Sequence, residues 1–188
     1  MKNHEHKHQF SYDEATRRRF QNPEKILKSI VLREGMVFID LGCNDGFFSI
    51  PAAKLVTKTG YVVGVDIDDE ALHRLETKAQ TENIDNISTI HSAAETVVIK
   101  EGVADFVFLG TVLHDFNDPV KVLKNAKEML KENGLIYNYD WQKIRQTKGP
   151  PYDIRFSKEH VEQLALESGL VVVSSTDINK SFYGIFIK

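Results

Sequence analysis

From Met36 onward the chain alternates short apolar runs with amphipathic helical stretches, and that alternation limits the fold more than any other feature. "MVFIDL", "YVVGVDI", "ISTIHSA", "ADFVFLGTV" and "GLIYNYDW" read as strands. "GFFSIPAAKLV", "DEALHRLETKAQTE", "PVKVLKNAKEMLK" and "SKEHVEQLALESG" read as helices between and after them. Pro51 falls near a first helical turn, where its missing N–H is tolerated. Ser157 and Gly169 bracket the last helix, and Asn133-Gly134 is the expected stop of the one before it. Apolar strands alternating with helices make a parallel sheet covered on both faces. "LVVVSSTDI" and "SFYGIFIK" are separated only by a turn around Asn179-Lys180, so they should pair antiparallel. The expected fold is α/β, a doubly wound and mostly parallel seven-stranded sheet with a C-terminal antiparallel hairpin.

Such sheets bind ligands outside the carboxyl ends of their strands, where the strand order reverses. That edge gathers the turns after Asp40, Asp66, His91, Leu109 and Trp141. The first of them, "DLGCNDGFF", bends on Gly42 and Gly46 beside Asp40. It would suit a nucleotide phosphate, an adenosine without phosphates, or no ligand. A dinucleotide turn wants G-x-G-x-x-G, but Asn44 and Phe47 stand where its second and third glycines belong. Asn44 tolerates a left-handed backbone, so the turn survives, whereas Phe47 keeps the helix from close packing. The P-loop pattern is absent. Asp66 ends the second strand at the spacing where a carboxylate accepts both ribose hydroxyls. Its competing role, capping the next helix, falls better to Asp68.

"VFIDLGCNDGFFS", "VVGVDID", "HSAAET", "ADFVFLGTVLHDFND" and "LKENGLIYNYDW" follow one another as in class I S-adenosylmethionine-dependent methyltransferases. The chain resembles their small-molecule branch, related to the ubiquinone and menaquinone biosynthesis methyltransferases, over about residues 20–188. The resemblance implies a Rossmann-like methyltransferase fold and S-adenosylmethionine as cofactor. Asp40, Gly42, Asn44 and Gly46 would surround the cofactor's methionine part. Asp66 would hold the ribose, Ile67 would pack on adenine, and Gly110 and Thr111 would flank the ligand. Where the family has Asp-Ala after the third strand, this chain has Ser92-Ala93. Ser92 is shorter and uncharged, Glu95 is an alternative acceptor, and the Ala93 backbone still serves.

Methyl transfer needs a base only when the acceptor must lose a proton. His114 has the pKa range for one; a histidine bonded to backbone at a helix start is the competing reading. Asp115 would orient it or cap a turn. Tyr139, Asp140 and Trp141 reach the same mouth, and His114 and Asp140 are the candidate catalytic pair. "GPPY" (149–152) is expected to be a proline-stiffened loop.

The segment before Met36 has no place in the sheet. Two short helices are expected there, one begun by Ser11 with Glu14 and one capped by Asn22 with Pro23 first. Residues 1–35 would then form a lid or cap over a single domain whose core is 36–188, with Phe10, Tyr12 or Phe20 over the pocket. Arg17–Arg19 is expected to be a solvated face, and the alternating His4, His6 and His8 a polar tail without a metal.

The 188 residues carry 24 basic and 27 acidic side chains, a net charge of −3, which argues against nucleic acid as partner. The single cysteine, Cys43, reads as a buried filler, and an arsenic acceptor would call for several. No apolar run approaches a membrane span, so a cytoplasmic protein is expected. An exposed strand edge would permit a homodimer. The expected activity is methyl transfer to a small-molecule acceptor. A non-catalytic adenosylmethionine- or adenosylhomocysteine-binding module is the alternative, and a nicotinamide-dependent oxidoreductase ranks below both.

Overall fold

A computed structural model describes residues 13–188. His4, His6, His8, Phe10, Ser11 and Tyr12 lie outside the described residues. Two short helices come first. α1 (Glu14–Phe20) is capped by Asp13, which accepts from the Thr16 N–H, and α2 (Pro23–Ser29) by Asn22, which accepts from the Lys25 N–H. β1 (Val37–Leu41), α3 (Ser49–Val56), β2 (Tyr61–Asp66), α4 (Asp69–Thr81) and β3 (Ile87–His91) follow in alternation, and β4 (Ala104–Gly110) comes next with no α-helix between β3 and it. α5 (Pro119–Met129), β5 (Leu130–Trp141), α6 (Lys158–Glu167), β6 (Val172–Asp177) and β7 (Phe182–Ile187) complete the chain.

The strands form one seven-stranded sheet in the order β3-β2-β1-β4-β5-β7-β6. Strands β1 to β5 pair in parallel, while β7 lies antiparallel to both β5 and β6. The order reverses between β1 and β4, as a doubly wound sheet requires. Both faces are covered, so successive strand residues are buried on opposite sides. Phe38, Phe106, Phe108, Tyr137, Tyr139 and Phe182 form one face with α2 and α3. Ile39, Leu41, Val107, Leu109 and Ile136 form the other with α5 and α6. The aromatic residues thus gather on the α2–α3 side. Apolar burial of this kind contributes roughly 25 cal/mol per Å² and holds the layers together.

Asn133-Gly134 does not end a helix. Leu130 is already extended (φ −73°, ψ 139°) and α5 closes at Met129. Leu130 pairs with Ala104, after which the register shifts and Leu135 faces Phe106. Gly134 sits within this irregularity, and a Cβ on it would stand 2.6 Å from the Ala104 carbonyl oxygen. The glycine admits a neighbouring backbone and does not adopt the left-handed turn expected of a helix stop. Gly134→Ala should therefore destabilise the fold by about 1–3 kcal/mol, an overpacking cost. A drop of several degrees in the thermal midpoint checks this, and an unchanged midpoint contradicts it.

Candidate active site

The turn after β1 is tied to β2 almost amide by amide. The N–H groups of Gly42 and Cys43 both donate to the Val65 carbonyl, at 2.8 and 3.1 Å. The Asn44 N–H donates to Asp66 Oδ2 at 2.8 Å, the Asp45 N–H to Asn44 Oδ1 at 2.7 Å, and the Gly46 N–H to the Cys43 carbonyl at 3.0 Å. Every amide from Gly42 to Gly46 is therefore engaged within the protein. A phosphate nest needs such amides turned toward the ligand, and this turn has none to offer. Asn44 takes the left-handed backbone, φ 49°, that its side chain tolerates. Gly42 also lies there, at φ 76°, and a Cβ on it would strike Val112 Cγ2 at 2.5 Å.

Two acids face this closed turn. Asp66 accepts from the Asn44 N–H through one oxygen and from the Asp68 N–H through the other, 3.0 Å away, which fixes its carboxylate in place. Each oxygen keeps a lone pair for a further donor, such as a ribose hydroxyl. Asp68, not Asp66, caps α4 through the Ala71 N–H. Asp40 is buried and accepts from the Ser49 hydroxyl at 2.6 Å. Burial pushes its carboxyl up to about 7, the Asp66 charge adding to the rise while Ser49 and Arg17 oppose it. Cys43 is packed against Gly64, and burial pushes its thiol up as well, which makes it a filler and not a nucleophile.

These groups open onto one cleft of about 1490 Å³, larger than the roughly 300–1,000 Å³ usual for a single small ligand. Asp40, Gly42, Asn44, Asp66, Ile67, Ser92, Ala93, Gly110 and Thr111 all line it. Gly46 does not. A Cβ there would collide with Leu75 of α4, so Gly46 serves the packing of the turn. Ile67 is half exposed, and nearby His91 Nε2 lies 3.0 Å from the Ile67 carbonyl. Thr111 holds φ 61°, an outlier for a β-branched residue. Its N–H donates to the Tyr139 carbonyl at 2.7 Å, which pins it at the mouth between β4 and β5. Strain of this kind concentrates at functional sites.

His114 and Asp140 come together. His114 Nδ1 lies 2.9 Å from Asp140 Oδ2, both side chains almost wholly buried, while Nε2 lies 3.7 Å from Asp115 Oδ1. Burial alone would lower the imidazole pKa. The charge and hydrogen bond of Asp140 outweigh it and raise it to about 9. At neutral pH His114 is therefore held as an imidazolium beside Asp140. His114 lines the cleft and Asp140 stands behind it. Beyond them, Trp141, Gly149, Pro150, Pro151 and Ile154 make an apolar wall. Arg155 shapes that wall by donating to the carbonyls of Gln142, Ile144, Lys148 and Pro150.

Arg17 and Gln21 were missed by sequence reasoning, and Arg17 leaves the solvated face expected for Arg17–Arg19. Its guanidinium carbon sits 3.8 Å from the centre of the Phe47 ring, and Nε donates to Gln21 Oε1 at 2.6 Å. Both residues line the cleft. The available signal was the helical period, which places Phe20 and Gln21 on the same side as Arg17. Arg18 instead pairs with Glu14 and Glu24. Lys78 spans Glu14 and Asp45, at 3.3 and 2.8 Å, and so fastens α1 to the turn.

The Asp40 carboxyl gives a pH signature. In the unfolded chain it titrates near 4, but the fold holds its proton up to about 7. Across that window the native state binds more protons, so this group withdraws stability as pH rises and withdraws no more above it. Asp40→Asn should raise the thermal midpoint at about pH 8, and the gain should fade toward roughly pH 4. A midpoint difference that does not vary with pH contradicts this.

Comparisons with known proteins agree with this geometry. A family model described as a methyltransferase domain matches residues 32–177. Demethylmenaquinone methyltransferase of Staphylococcus aureus (strain MRSA252) is 27% identical over 113 residues, 60% of this chain and 46% of the relative. The match thus spans about half the length of that curated relative. A SAM-dependent methyltransferase from Aquifex aeolicus superposes with a TM-score of 0.86 at 25% identity, covering 94% of this chain and 98% of the other. An arsenic(III) S-adenosylmethionine methyltransferase from Chlamydomonas reinhardtii shares the fold alone. Its TM-score is 0.65 at 20% identity, over 82% of this chain and 63% of that one. With the family model covering most of its length, the chain belongs to the methyltransferase-domain family, in the class I, S-adenosylmethionine-dependent line that resembles the menaquinone-biosynthesis enzymes.

Proposed function

We propose that this chain transfers a methyl group from S-adenosylmethionine to a small, flat acceptor. The observation that carries the reading is the closed turn. A site whose turn amides are all engaged, and whose acceptors at the strand ends are Asp40 and Asp66, suits an adenosyl ligand without phosphates and disfavours a dinucleotide. Asp66 would hold the ribose, Ile67 and Ala93 the adenine with Ser92 beside it, and Asp40, Gly42 and Asn44 the methionine part. Gly110 and Thr111 would form the floor under the reacting end. When bound, the cofactor supplies an electrophilic methyl group on a sulfonium, open to in-line attack.

The cleft is too large for one ligand, and its remaining wall of Phe20, Trp141, Pro150, Pro151 and Ile154 suits an apolar, planar acceptor. Demethylmenaquinone, named for the curated relative, is of this type, and its reduced form is the first compound to test. Orientation against a stiff wall and exclusion of water supply much of the rate. No finding on the fold or the relatives favours the non-catalytic binding module. Residues 1–35 act as a helical cap on the 36–188 core in this reading. In this reading the protein works in the cytoplasm, its net charge of −3 speaks against nucleic acid as a partner, and the exposed β6 edge leaves room for a homodimer.

His114 is the proposed base, oriented by Asp140. It accepts a proton at Nε2 only in its neutral form, and that form becomes abundant as pH rises toward about 9. With a proton-bearing acceptor, kcat should climb with pH through that range, and His114→Asn should remove the climb. Transfer of an isotopically labelled methyl group across pH values reads it directly. A wild-type profile that stays flat as pH rises toward about 9 contradicts the base assignment. Failure of every acceptor, with the cofactor bound, would count against the enzyme.

A further inference from the structure

The methionine end of the cleft holds a polar arrangement that the roles above leave unused. The Arg17 guanidinium sits over Phe47, with Phe48 further off at 5.6 Å. Its hydrogen bonds go to neutral oxygens, Gln21 Oε1 at 2.6 Å and Thr111 Oγ1 at 3.4 Å. Among the described residues no carboxylate comes within ion-pair distance of it. Asp45, the nearest acid on the turn, is engaged by Lys78 at 2.8 Å. Beside Arg17, Gln21 is only 2% exposed and its Nε2 has no hydrogen-bond partner. Burial holds the Tyr139 hydroxyl well above its ordinary range with Gln21 beside it opposing the rise, and the Gln21 amide nitrogen is left without a partner. A buried orphan donor is costly, and so is a partly buried cation without an anion. Here two such donors converge on one end of the cleft.

We infer that Arg17 and Gln21 form an anion subsite for the α-carboxylate of the cofactor's methionine part. This rests on the methyl-transfer reading above. The amino-acid end of S-adenosylmethionine is a zwitterion, and the cleft is laid out with matching polarity. Asp40 and Asp66 come from the ends of β1 and β2, and the guanidinium and the amide donor come from α1 and just beyond it. A guanidinium seated over an aromatic face leaves its N–H edge open, and a carboxylate can meet two of those N–H groups at once. Because Arg17 rides on α1, the cofactor's own carboxylate would fasten that helix over the site. Burial lowers the guanidinium to about 10, against the opposing charges of Asp45, Tyr139 and Asp40, so it stays cationic at neutral pH.

Calorimetric titration with two probes tests the subsite. One is S-adenosylmethionine. The other is its decarboxylated analogue, which keeps the adenosine, the sulfonium and the amine. Wild type should bind the decarboxylated compound roughly ten- to a hundredfold more weakly, the worth of hydrogen bonds to a charged group. Arg17→Met keeps an apolar stack on Phe47 and should bind S-adenosylmethionine as weakly as its analogue, leaving analogue affinity unchanged. Gln21→Glu, which sets a carboxylate beside the guanidinium, should show the same selective loss and serves if Arg17→Met folds poorly. Equal weakening of both ligands by each variant overturns the subsite and makes Arg17 a packing residue. Undiminished binding of S-adenosylmethionine by both variants overturns it too, and leaves the carboxylate of an acceptor as the group Arg17 would meet. Wild type that binds neither compound contradicts the methyl-transfer reading itself, and the subsite falls with it.

Discussion

The ligand end of this molecule depends on the hydrogen bonds that tie the turn after β1 to the end of β2. Two amides converge on the Val65 carbonyl and a third on the Asp66 carboxylate. The chain can make these bonds because Gly42 and Asn44 take left-handed backbone there. They decide the ligand class by subtraction. A turn of similar shape that left its amides free would attract phosphate, as helix N-termini and glycine loops do. With the amides committed inward, the site's character passes to Asp40 and Asp66. Those groups accept hydrogen bonds and attract cations, so they favour hydroxyls and an ammonium or sulfonium.

The second determinant is the sorting of side chains between the sheet's two faces. Mostly aliphatic residues, with Tyr183 among them, fill the side under α5 and α6, while rings crowd the side under α2 and α3 and continue to the mouth as Phe48, Tyr139, Trp141 and Phe182. Tyr139 and Trp141 both pack on Phe182 of β7, at ring distances of 5.0 and 4.2 Å. The antiparallel insertion of β7 beside β5 therefore stiffens the wall of the cleft as well as finishing the sheet. Arg155 extends that order into the loop after β5, whose carbonyls it gathers, and Gly149 lies flat against the Trp141 indole. A rigid acceptor wall is what a reaction driven by positioning requires.

Much of this was legible in the sequence because periodicity and turn chemistry are local. The order of elements, the hairpin at Asn179-Lys180, the Asp68 cap and the left-handed Asn44 each follow from a few adjacent residues. What escaped depends on contacts between segments remote in the chain. Asn133-Gly134 imitates a helix stop, but pairing of Leu130 with Ala104 draws the chain into the sheet before that stop is reached. Gly46 lies among ligand-facing residues in the sequence, yet it answers to Leu75 of α4. Arg17 reads as one of three surface cations until α1 is laid over Phe47. The pairing of His114 with Asp140 was expected from the sequence, but the rise it gives the imidazole depends on the burial of both side chains together.

The central claim is that the cleft takes an adenosyl ligand without phosphates. Thermal unfolding with S-adenosylhomocysteine and with NAD, run side by side, tests it most directly. A ligand at about a hundred times its dissociation constant adds roughly 2.7 kcal/mol to stability, which for a chain of this size raises the midpoint by about 5–10 °C. The account predicts that rise with S-adenosylhomocysteine and none with NAD. A rise with NAD and none with S-adenosylhomocysteine would show that the turn does release its amides to phosphate, and would contradict it.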